Sequence, residues 1–211
     1  MSKGFASASL TAGQLNAIVK KLGGVTNALR FLRGELTVSV SPRPWREEDG
    51  IIYFTVTSDG ASGEQWISRL VSKGFNVGYY ARQVLRSQHF TPTNRVTTEV
   101  VVLKGMLFEH NDRSTKKIRA EADKRKLSTP NAELACLIRE KFTDKELDAM
   151  GLRFILVMHE AVDLQVASFF LDVTSDGDGR LLNGCDLYSD DEKFGSDYGF
   201  AFDASEVSSR H

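Results

Sequence analysis

Hydrophobic positions near the start of the chain recur at helical spacing. Leu15, Ile18, Val19 and Leu22 fall at i, i+3, i+4 and i+7, which places them on one face of a helix. Thr11 and Gln14 stand three apart ahead of that face, so the hydroxyl and the amide can each satisfy an orphan backbone donor, with Leu10 and Leu15 as the staple around them. Gly23-Gly24 ends this helix, and a shorter one is predicted over about 26–33, stopped by Gly34. The pattern is that of a compact helical hairpin.

From Glu35 the period shortens. Residues 36–40 and 51–57 read as strands, separated by Pro42, Pro44 and an Asp49-Gly50 turn. Ser62 and Gln65 form a second capping box, opening a helix that carries Trp66, Ile67, Leu70 and Val71, and Gly74 followed by Phe75 supplies its stop. A further helix is predicted over 79–86. Residues 97–108 contain Val100-Val-Val-Leu103 and read as a buried strand. Three helices follow, over 113–126, 130–142 and 143–150, with Pro130 suited to a first helical position and Thr143/Glu146 a third capping box. Residues 154–159 read as a strand, and the remainder as an antiparallel meander over 167–174, 180–188 and 199–203, with a turn at 175–179.

This predicts an α+β fold in three parts: an N-terminal helical hairpin (1–34), a central mixed α/β domain (35–160) and a C-terminal antiparallel β meander (161–211) packed on it. No apolar run approaches the roughly 20 residues needed to cross a bilayer, and no signal-peptide core stands at the start, so the expectation is a soluble cytoplasmic protein without a membrane contact. Two cysteines, Cys136 and Cys185, make at most one bridge and read as reduced thiols.

Charge changes this picture more than composition does. Residues 1–150 hold 23 Lys/Arg against 16 Asp/Glu, a net of +7, whereas residues 151–211 hold 4 against 12, a net of −8. Much of the positive excess sits in 113–126, where Arg113, Lys116, Lys117, Arg119, Lys124, Arg125 and Lys126 face two acids. On a helix these leave only a narrow stripe of Ser114, Ile118 and Ala122 uncharged, a surface able to neutralise phosphates. The other readings of the helix are a solvated face or the partner of the acidic end, since no stacking aromatics interleave the cations. Negative charge gathers in 172–203, with nine acids against two bases. There Asp186, Asp190, Asp191 and Glu192 offer an anionic face and Tyr188, Phe194 and Tyr198 aromatic anchors for a protein partner; packing under the sheet is the competing reading of those rings.

Other motifs are weaker. Asp172, Asp176 and Asp178 with Gly177 and Gly179 resemble part of a calcium loop, but the twelfth position is Asn183 or Cys185 and supplies no bidentate Glu. His159-Glu160 with Asp163, and Glu109-His110 with Asp112, each follow a predicted strand and are candidates for acid–base work. The first hairpin has the outline of a helix-turn-helix, with Asn27 and Arg30 as base readers, but its second helix is short and a packing or oligomerising hairpin fits better. Phosphate-cradling and nucleophile-elbow patterns are absent, so no cofactor, catalytic residue or metal is expected.

Several stretches are familiar together: residues 15–24, Leu-Asn-Ala-Ile-Val-Lys-Lys-Leu-Gly-Gly; 54–60, Phe-Thr-Val-Thr-Ser-Asp-Gly; 132–140, Ala-Glu-Leu-Ala-Cys-Leu-Ile-Arg-Glu; 149–152, Ala-Met-Gly-Leu; and 199–202, Gly-Phe-Ala-Phe. They resemble a family of uncharacterised proteins that recurs in metagenome-derived bacterial genomes, a resemblance that spans nearly the whole chain and implies no activity. The closing Gly-Phe-Ala-Phe is also similar to the last strand of C-type-lectin-like domains, departing at Phe202, where an Arg is usual. The reading is a non-catalytic binding protein whose acidic C-terminal surface meets a protein partner. The alternative is a nucleic-acid-binding protein whose acidic end covers the basic helix until displaced, so that deleting 172–211 strengthens DNA or RNA binding.

Overall fold

A computed structural model describes residues 11–37, 43–176, 179–186 and 193–204. The chain divides into two compact units, Met1–Arg43 and Pro44–His211.

The first unit holds helices α1 (Ala12–Lys21) and α2 (Val25–Leu32). Thr11 caps α1 through the reciprocal bonds its sequence predicts, Thr11 Oγ1 accepting from the Gln14 amide and Gln14 Oε1 from the Thr11 amide. Gly23 and Gly24 both take positive φ, which lets the chain reverse within two residues. Neither helix buries a residue.

The second unit is built on one mixed sheet. Its elements in chain order are β1 (Arg46–Glu48), β2 (Ile51–Asp59), α3 (Gly63–Ser72), β3 (Asn76–Val77), α4 (Tyr79–Arg86), β4 (Asn94–Lys104), α5 (Thr115–Lys124), β5 (Leu127–Ser128), α6 (Glu133–Lys141), α7 (Asp144–Ala149), β6 (Phe154–Asp163), β7 (Ser168–Asp176), β8 (Gly179–Asp186) and β9 (Tyr198–Ala204). The strand order is β1-β2-β4-β9-β6-β7-β8-β3, with β5 pairing β9 off this path. The fold is α+β, as the patterning predicts. Of the predicted meander, β7 and β8 pair antiparallel as expected and β7 continues onto β6 of the central region, but β9 does not extend it. Instead β9 runs back between β4 and β6, antiparallel to the first and parallel to the second. Its Phe200, Ala201 and Phe202 are apolar on both faces, and only a central strand covered on both sides buries all three.

Alternation along the strands supplies two cores. Phe54, Val102, Ala201, Val157 and Leu171 face α3, α4, α6 and α7 around the fully buried Trp66. Val101, Leu156, Phe170, Phe200 and Phe202 face the other way, against Ile118 and Ala122 of α5. The α3 and α4 helices meet so closely that a Cβ on Gly63 would lie 1.7 Å from the Leu85 carbonyl oxygen.

Three local expectations change. Residues 36–37 form no strand, and 38–40 lie outside the described residues. The long central strand ends at Lys104, where a 3-10 turn, Gly105–Leu107, takes over. The α6 helix begins at Glu133 and not at Pro130.

Candidate functional site

The sheet splits near its centre. One edge of β9 is taken by β4 throughout, and the other is shared: β6 pairs it from Tyr198 to Ala201, and β5 takes over at Asp203 and Ala204. Beyond Val157, β6 leaves β9 and follows β7 alone, and among the described residues that free edge has no strand partner. Between β6 and the segment leaving β5 opens a cleft of about 580 Å³, lined by Thr129–Ala132 on one side and His159–Asp163 on the other, with His89 and Thr91 beside them.

A wide bulge produces the divergence. Val157 pairs with Leu171 and Val162 with Phe169, so Met158, His159, Glu160 and Ala161 stand opposite Phe170 alone. Such a bulge leaves ladder groups unmatched, and His159 supplies the missing acceptor. Its Nε2 accepts the Leu171 amide proton at 2.9 Å, so the ring proton is on Nδ1, which donates to the Glu160 carbonyl at 2.6 Å. Burial holds the imidazole's pKa down at about 4. The neutral ring, 2 % exposed, has both nitrogens engaged by backbone. The candidate catalytic histidine is therefore a structural plug, while Glu160 and Asp163 stand exposed on the cleft.

Arg119 closes the fork from the α5 side. Its guanidinium donates to the His159 carbonyl at 2.9 Å, to Glu160 at 3.4 Å and to Thr129 at 3.4 Å, and so touches both prongs. On the opposite wall Glu133, 1 % exposed, accepts from Trp66 Nε1 and from both the amide and hydroxyl of Thr93. That carboxylate ties α6, just after the cleft wall, to the segment carrying Thr91.

The other predicted site residues do not come together here. On the basic helix, Arg113 donates to the carbonyls of Gly105 and Phe108, Lys117 pairs with Asp112, and Lys124 and Arg125 both pair with Glu121. Lys116 and Lys126 are exposed and make no ion pair among the described residues. The cations thus serve largely to hold α5 and its ends. Its apolar stripe is covered by Phe194, Phe200 and Phe202, and the Phe194 amide donates to the Arg113 carbonyl. So the described part of the acidic region meets the basic helix through apolar packing, not charge.

Of the proposed acidic surface, Tyr188, Asp190 and Asp191 lie outside the described residues, and Asp186 is half-buried at the end of β8. Phe194 is buried against Tyr198 and Phe200, and Tyr198 stacks on Phe154 at 4.5 Å, so neither ring is an exposed anchor. Of the calcium-loop residues, Gly177 and Asp178 lie outside the described residues. Asp172 lies buried within β7, accepting from Thr174 and Asn183, and desolvation raises its pKa. No group of three or more His, Cys, Asp or Glu side chains among the described residues is placed to hold a metal. His110 stands in an exposed 3-10 turn, and Glu109 and Asp112 line a separate cleft of about 290 Å³. Both cysteines are free thiols, and burial pushes the Cys136 thiol well up. No helix among the described residues is long and apolar enough to cross a membrane.

No protein-family model, no curated protein and no solved structure matches this chain.

Proposed function

We propose that this is a non-catalytic binding protein of the cytoplasm, and that the fork between β5 and β6 takes an extended segment of a partner polypeptide. The observation that carries this reading is the edge of β6 beyond Val157, which has no strand partner among the described residues and runs along an open cleft, with its His159 carbonyl held by Arg119. An extended chain adds to such an edge through main-chain hydrogen bonds and draws its specificity from alternate side chains. Thr91, Thr129 and Asn131 add hydrogen-bonding groups, and exposed Glu160 and Asp163 favour lysine or arginine on the incoming strand. Plugging by His159 and clasping by Arg119 support a fork rigid enough to be filled without reordering. With both ring nitrogens hydrogen-bonded to backbone and the ring buried, His159 is held in a structural role, which supports binding over catalysis.

The test is fluorescence anisotropy with a labelled, end-capped octapeptide alternating valine with threonine and lysine. Binding that weakens about tenfold in Glu160→Gln/Asp163→Asn, with loss of its salt dependence, supports the reading. Equal binding by wild type and variant, or none by wild type, would overturn it.

A further inference from the structure

The cleft of about 290 Å³ beside α5 has an apolar floor and walls of opposite charge. Glu121, which lines it, lies about 160° around the helix from Arg119, so this cleft is on the other flank of α5 from the fork. Leu103, Leu107 and Phe108 make the floor, where β4 gives way to the 3-10 turn Gly105–Leu107. That turn is braced from three directions. Arg113 donates to the Gly105 and Phe108 carbonyls at 3.0 and 3.2 Å, and Phe108 packs edge-on against Phe200 at 6.1 Å. Leu107 abuts the Asp49-Gly50 turn so closely that a Cβ on Gly50 would lie 2.8 Å from it. Leu107 nonetheless stays 39 % exposed, so the floor is pre-formed and open to solvent.

One wall is acidic. Glu109 and Asp112 flank the 3-10 turn His110–Asp112, which closes with the Asp112 amide donating to the Glu109 carbonyl at 2.9 Å. At three residues per turn, side chains i and i+3 eclipse, which stacks the two carboxylates on one side. Glu109 makes no ion pair among the described residues, and Asp112 makes one long contact, 3.8 Å to Lys117. The other wall is positive. Arg125 holds Glu121 through Nε and one terminal nitrogen, both at 2.9 Å, and Lys124 shares that carboxylate at 3.3 Å. The second terminal nitrogen of Arg125 has donors to spare.

We infer that this cleft binds a free apolar α-amino acid, with its ammonium on Glu109 and Asp112, its carboxylate on Arg125 and its side chain on the Leu103, Leu107 and Phe108 floor. Volume sets the size, since ligand pockets run from about 300 to 1,000 Å³ and this one, at the small end, has room for a metabolite but not for a peptide. Charge sets the class. A simple cation meets the Arg125 wall and a simple anion the acidic one, whereas a zwitterion with an apolar body answers all three surfaces. The site is separate from the fork and does not rest on the reading given for it.

The experiment is an NMR titration of the labelled full chain with L-leucine. Its controls are N-acetyl-L-leucine, which lacks the ammonium, L-leucinamide, which lacks the carboxylate, and glycine, which lacks the side chain. Leucine is expected to shift the amides of 107–112 and 121–125 with a Kd of about 1 mM, and each control to bind at least about tenfold more weakly. Glu109→Gln/Asp112→Asn is expected to weaken leucine binding about tenfold while keeping the wild-type thermal unfolding transition, and Arg125→Gln to erase the preference for leucine over leucinamide. The three controls need no variant, so a folding defect in either variant leaves the comparison intact. Absence of shifts up to about 20 mM leucine, binding of any control as tight as leucine, or full binding by Glu109→Gln/Asp112→Asn overturns the inference. So do shifts confined to 129–132 and 160–163, which would put leucine in the fork.

Discussion

His159 Nε2 accepts the backbone proton of Leu171 across the bulge that parts β6 from β9. A side chain here completes a ladder that the extra residues of the bulge would otherwise leave open. Replacing His159 by Phe keeps an aromatic volume but strands the Leu171 amide. The expected loss is about 2–3 kcal/mol of unfolding free energy by urea titration. His159→Gln, which retains an acceptor, is expected to lose less.

The same ring predicts a pH dependence. With the imidazole's pKa lowered to about 4 in the folded chain, against 6.5 ordinarily, the unfolded state binds the extra proton between these values. Its contribution is whole above pH 6.5 and is lost as pH falls toward 4. His159→Gln is expected to flatten that part of the stability profile, measured by urea midpoints from pH 7.5 to 4.

Asp203 behaves in the opposite sense. Burial pushes its carboxyl up to about 6, so the folded chain holds a proton that the unfolded chain has released. Stability from this group is present below pH 4 and is lost as pH rises through 6. Asp203→Asn is therefore expected to stabilise the protein by about 2 kcal/mol at pH 7.5 and by nothing near pH 4, a contrast that thermal unfolding at the two pH values reads directly.

Arg119 holds both prongs of the fork, so Arg119→Met is expected to loosen it. Amide hydrogen exchange over 158–163 should accelerate at least about tenfold, with a global loss near 1–2 kcal/mol. Unchanged exchange in that segment would show that the clasp contributes nothing.

Much of the fold is legible in the sequence, and the reason is local. Capping boxes at Thr11, Ser62 and Thr143 form as their spacing predicts, because donors and acceptors lie within one helical turn. The α4 helix over 79–86 and the hairpin of β7 with β8 follow from periods read over a few residues. Long-range placement is not encoded that way. Nothing near Tyr198 says that β9 pairs with β4, some hundred residues earlier, although apolar residues on both faces of β9 are a signal for a central strand. Arg119 illustrates the same limit. By composition it belongs to a basic helix, and only the tertiary fold brings it to Thr129 and the His159 carbonyl. Charge counts therefore suggested two opposed patches, while the actual cations are spent largely on neighbouring acids and carbonyls. The strand pairing also makes deletion of 172–211 unsuitable as a test of nucleic-acid binding, since it removes β8, β9 and half of β7 from the sheet.

An NMR titration of the isotopically labelled full chain with the alternating valine, threonine and lysine octapeptide tests directly whether the fork takes an extended chain. Amide shifts are expected to concentrate at 129–132 and 160–163, with exchange protection gained along the free edge of β6. Shifts confined to α5 and the region around Asp186, with the fork unperturbed, would contradict it.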